Sequence, residues 1–119
     1  MSDAETPAQF ASDAAESIRA LNHATLGRGR LDWDYPSDAY GVIGSLERAV
    51  AYLPQALEQT WKLLSGLAAD GHVGSTTGDP DKDLTEAHAA LDEARTLAAR
   101  LDAALQRAHN ATSPLTYEG

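Results

Sequence analysis

Cysteine is absent from these 119 residues. Without a thiol the chain makes no disulfide, no thiolate nucleophile and no zinc site built on sulfur. Basic residues are scarce, with nine Lys and Arg against 18 Asp and Glu and a formal charge of −9. Nucleic-acid backbones and anionic membrane surfaces are held by clustered Lys and Arg, so neither is expected as a direct partner. The close pair Arg28 and Arg30 is neutralised by Asp32 and Asp34 that follow it. No run approaches the roughly 20 apolar residues of a membrane helix. Residues 1–5 also lack the basic and apolar regions of a secretory signal. The expectation is a cytoplasmic protein with a disordered N-terminus over residues 1–5, one helical domain over 6–113 and a tail at 114–119.

Aromatic residues make up only 6% of the chain, whereas hydrophobic residues reach 43%, most of them Ala and Leu. These are strong helix formers, and strand-favouring types are few. The composition therefore points to an all-α fold, and the apolar spacing locates its helices. Thr6-Pro7-Ala8-Gln9 is a helix start with a capping box and a first-turn proline. Phe10, Ala14, Ile18, Leu21 and Thr25 then line one face of a helix ending near Gly27. A second helix is predicted from Pro36–Asp38. Its stripe is Ile43, Leu46, Val50, Leu53, Leu57, Thr60, Leu64 and Leu67. Pro54 lies within it and removes the bond to the Val50 carbonyl, so one helix kinked at Pro54 is expected. Glu58 and Lys62 form an i, i+4 pair in the favourable order. Residues 70–79 read as a polar, mobile connection. Asp79-Pro80 opens a third helix with Leu84, Ala87, Leu91, Ala94, Ala98, Leu101, Leu105, Ala108 and Thr112 on one face, ended by Asn110 and Ser113-Pro114. Spacings of three and four suit nearly antiparallel packing, so an antiparallel three-helix bundle with two long helices is the expected architecture. Beyond the heptads no internal repeat is apparent. Between the first two helices, Leu31, Trp33 and Tyr35 alternate with Asp32 and Asp34, as in an extended strap lying over helices.

The tests for chemistry return little. His88 and Asp92 could share an edge, but Glu-x-x-His, the repeating unit of di-metal bundles, does not occur. Asp79, Asp81 and Asp83 have the spacing of a calcium loop's first ligands. The glycine and bidentate glutamate that such a loop needs are replaced by Leu84 and Ala90. Acids at this position suit a helix N-terminus anyway. No phosphate loop or nucleophile elbow is present. His88 has no Lys or Arg within a turn to steady a phosphoryl group. We therefore expect no catalytic residue, no metal and no cofactor.

The segment Tyr40-Gly41-Val42-Ile43-Gly44-Ser45-Leu46, followed by Leu53-Pro54-Gln55-Ala56-Leu57, resembles small uncharacterised Ala- and Leu-rich helical proteins of actinobacterial genomes. Some of those accompany mobile elements. The resemblance covers about half the chain and implies helicity, with no activity or site residue to carry over. The helical-hairpin family marked by a Trp-x-Gly turn is a poorer match, because Trp33-Asp34-Tyr35 and Trp61-Lys62-Leu63 lack the glycine.

Trp33, Tyr35, Tyr40, Trp61, Leu63 and Leu97 remain as a candidate interaction surface, being aromatic or off the stripes. The leading expectation is a non-catalytic interaction or regulatory protein whose partner is a protein, including a second copy of itself as a homodimer. Two alternatives are a small enzyme or ligand carrier with a pocket near Trp33, Tyr35 and His88, and an acidic antagonist of a basic DNA-binding partner.

Overall fold

The computed structural model describes residues 5–27 and 33–119, and 76% of those residues are helical. Among the described residues there is no strand. Residues 1–4 of the N-terminus expected to be disordered, the basic pair Arg28 and Arg30, and the Leu31–Asp32 part of the strap lie outside them. The elements are α1 (Pro7–Ala24), α2 (Pro36–Ala51), α3 (Leu53–Ala69) and α4 (Pro80–Thr112).

At the starts of α1, α2 and α4 a nearby side chain accepts from backbone N–H groups, whereas α3 has no side-chain cap. Thr6 Oγ1 accepts from the Gln9 N–H at 3.2 Å, and Gln9 Oε1 accepts from the Thr6 N–H at 2.7 Å. At α2 the Asp38 carboxylate accepts from the N–H groups of Asp34 and Tyr35 at 3.0 and 2.9 Å. Asp79 caps α4 by accepting from the Lys82 N–H at 3.1 Å.

Helices α2 and α3 are one rod bent by 28° at residue 52. The bend falls two residues before the proline expected to cause it. Pro54 clashes with the carbonyl four residues back, so the helix breaks between Val50 and Pro54. It restarts at once, with the Tyr52 carbonyl accepting from Ala56 N–H at 3.3 Å. Pro54 is thereby left in the first turn of α3, where its missing N–H is harmless.

The connection at 70–79 is tied down more than its glycines suggest. Gly71 and Gly78 adopt φ of 79° and 85°, conformations that glycine enters freely. The Asp83 carboxylate accepts from the hydroxyls of Ser75 and of Thr77, the latter at 2.6 Å. Those hydroxyls in turn accept from the backbone N–H groups of Thr77 and Asp79. This connection returns the chain along α4, which packs on both halves of the bent rod.

Helix α1 does not join that packing. Among the described residues, none of its Cα atoms lies within 8 Å of another helix. The molecule measures 64 × 38 × 25 Å. Two packed helices are about 20 Å across, so the 38 Å dimension reflects α1 projecting from the hairpin. The physical consequence is a missing core. Ala98, 7% exposed, is the one hydrophobic side chain that is buried among the described residues. The chain exposes 9176 Å², against about 6,200 Å² for a compact monomer of its mass.

A candidate interaction face

Two seams run along the hairpin, and they differ in chemistry. The first is built from residues seven apart: Tyr40, Glu47, Pro54, Trp61 and Ala68 on the rod, and Asp81, His88, Arg95, Asp102 and His109 on α4. Tyr40 stacks on His109 with ring centroids 4.1 Å apart and planes 19° from parallel. Trp61 stacks on His88 at 4.5 Å and 14°. As numbers rise along the rod, those of their α4 partners fall, so the two arms run in opposite directions. Gly44 lets the first stack form: a Cβ there would lie 2.8 Å from His109 Nε2.

Charge fills the rest of this seam. The Asp102 carboxyl beside Glu47 shares a hydrogen bond with it and repels its charge, and desolvation adds to both effects. Together they raise the Glu47 pKa above its ordinary value, although the positive ends of His109 and Arg48 work against them. Glu58 pairs with Lys62 at 3.6 Å, as its spacing predicts, and also with Arg95 across the interface at 3.9 Å. Arg95 reaches Asp92 at 3.5 Å as well. Its Nε is buried without a hydrogen-bond partner. These pairs are partly solvated and contribute little singly.

The second seam is apolar and open. Around a heptad helix, successive positions lead from the closed seam through Ile43, Val50, Leu57 and Leu64, which are half-buried, to Leu53 and Leu67, which are exposed. One step further stands Leu63, at 64% exposure. The same order holds on α4. Leu84, Leu91 and Leu105 are half-buried, Leu101 is exposed, and Leu97 beyond it is 49% exposed. In an oppositely directed pair these outer positions of both helices fall on the same side. Leu53, Leu63, Leu67, Leu97 and Leu101 therefore form one flank, backed by the small side chains of Ala56, Ala90 and Ala94.

The six residues singled out from sequence thus separate into three places. Tyr40 and Trp61 close the polar seam, while Leu63 and Leu97 share the open flank. Trp33 and Tyr35 lie at the start of α2, lining a hollow with Pro36 and Ala39. Tyr35 also meets Tyr117 edge-on at 5.0 Å, so the C-terminal segment folds back to this end of the rod. His88 is three heptads from His109, about 31 Å at 1.5 Å per residue. It lines a different groove of about 390 Å³ with Trp61, Ser65 and Asp81. Trp33, Tyr35 and His88 do not share a pocket.

Sequence reasoning missed the histidines' role and that of Tyr117. The signal for the former was present: Asp81, His88, Arg95, Asp102 and His109 repeat every seven residues beside the apolar stripe. Among the described residues, no three His, Asp or Glu side chains converge as ligands, and no helix is long and apolar enough to cross a membrane. Compared with known protein families, curated proteins and solved structures, the chain matches none of them.

Proposed function

We propose that this protein is a non-catalytic interaction module that associates with a second copy of itself through the open leucine flank. The observation that carries the reading is the exposure of Leu53, Leu63, Leu67, Leu97 and Leu101 together on one side of a hairpin with almost no buried core. Apolar area left in water is the main unspent driving force of this chain. The surplus over a compact monomer, about 3,000 Å², exceeds the 1,200–2,000 Å² that a standard interface removes from water. In the assembly, hairpin and α1 become the antiparallel three-helix bundle whose interior one copy lacks.

The test is a charge placed in the flank. Leu63→Glu with Leu97→Glu leaves helicity unchanged, because both side chains are exposed, and reduces the light-scattering mass to that of a single chain. An unchanged mass removes the flank from the interface.

A further inference from the structure

Helix α1 offers an apolar face that, like the flank, stands largely uncovered. Helix α1 is capped at both ends: the reciprocal Thr6–Gln9 bonds hold its start, and the Thr25 hydroxyl donates to the Leu21 carbonyl at 2.9 Å at its end. Its face of Phe10, Ala14, Ile18 and Leu21 has nothing packed on it except near Leu21, which borders a groove with Gly41, Val42 and Leu46 of α2. Phe10, at the far end, is 62% exposed. A helix within a protein takes most of its stability from packing of its apolar face, and the 18 residues of α1 have almost none. The chain thus holds one apolar helix face without a partner and one apolar flank without a cover.

Their dimensions agree. At 1.5 Å per residue α1 is about 27 Å long, and the flank from Leu53 to Leu67 runs about 21 Å. Small residues beside the flank leave room for a third helix: Ala56, Ala90 and Ala94 carry only methyl groups, which gives depth for side chains the size of Phe10 and Ile18. Within one copy no Cα of α1 comes within 8 Å of the helices that carry this flank, and α1 borders the rod at the Leu21 groove near the start of α2. A second copy can present its own flank to it, and the exchange is reciprocal, which closes the assembly at two chains with a two-fold axis.

We propose that α1 is an exchanged arm, its Phe10–Ile18 face seated on the Leu53/Leu63/Leu97 flank of a second copy. This inference rests on the self-association proposed above and specifies its geometry. The absence of native cysteine makes the test clean, since every thiol is an introduced one. Chains carrying Ile18→Cys are mixed with chains carrying Leu63→Cys or Leu97→Cys, equilibrated and treated with a short bis-maleimide. The expected product is a covalent heterodimer in the mixture, several-fold above that from either variant alone. The double variant Ile18→Cys/Leu97→Cys is expected to link chain to chain. Linkage within single chains overturns the exchange by placing α1 on its own hairpin. A dimeric mass with no α1-to-flank product overturns it too, while leaving self-association intact. A single-chain mass for the unaltered protein at every concentration sinks both.

Discussion

Tyr40 and Trp61 occupy equivalent cross-sections of the hairpin three heptads apart, each covered face-on by a histidine of α4. His109 and His88 are separated by the same three heptads, and Gly44 and Ser65 hold the small position one turn after each aromatic. The repeat marks the two points at which rod and α4 are locked in register on either side of the bend. Trp61 contributes the larger ring and the larger buried area. Trp61→Ala is expected to destabilise the fold by about 2–3 kcal/mol, at the low end for a large-to-small change because the site is half-buried. Chemical denaturation measures it. A loss under 0.5 kcal/mol contradicts a locking role for the stack.

Two glycines of α2 predict opposite outcomes from the same substitution. A Cβ on Gly44 meets the His109 ring, whereas nothing stands within 4 Å of one on Gly41. Gly41→Ala is expected to stabilise by about 0.5–1 kcal/mol through helix propensity. Gly44→Ala is expected to lose about 1–2 kcal/mol as the ring is displaced from Tyr40. Thermal melts of the two variants order them, and equal shifts in one direction contradict the close approach of His109 to α2.

Two carboxylates give opposite pH signatures. The hydroxyls of Ser75 and Thr77 hold Asp83 below its ordinary pKa. Its contribution is present above the unfolded carboxylate value, about 3.9, and is lost as pH falls through the lowered folded value. Asp83→Asn therefore melts lower than the parent at pH 7, and the gap narrows in acid. Glu47 is raised, chiefly by its hydrogen bond with Asp102. The stability from that shared proton is full below about 4.3 and disappears as pH rises through the raised value. Glu47→Gln, which keeps a donor when the proton has gone, therefore melts higher than the parent at pH 7 and level with it in acid. Melting curves across pH separate the two, and parallel profiles contradict the assignments.

Helix boundaries were legible because capping is local: Thr6, Gln9, Asp38, Asp79 and the first-turn prolines act within four residues of themselves. The stripe residues were legible for a similar reason, since seven-residue spacing alone places them on one face. How that face is shared was not. The rod meets α4 through Ile43, Val50, Leu57 and the Tyr40/Trp61 column, rolled away from Leu53 and Leu67, because flat rings and charged pairs take up one side of the contact. Such a roll depends on both helices at once. Leu63 and Leu97 stood out in the sequence as apolar residues off their stripes, whereas their exposure and common flank needed the direction of α4. The expectation that Trp33, Tyr35 and His88 surround one pocket failed on length: the hairpin holds its two ends apart.

The central claim is that one copy of this chain lacks a core which a second copy completes. Sedimentation equilibrium of the unaltered protein over a wide concentration range tests it most directly. The account predicts about twice the chain mass of 12.6 kDa, with melting temperature rising as concentration rises. A mass of one chain throughout, with a melting temperature independent of concentration, contradicts it.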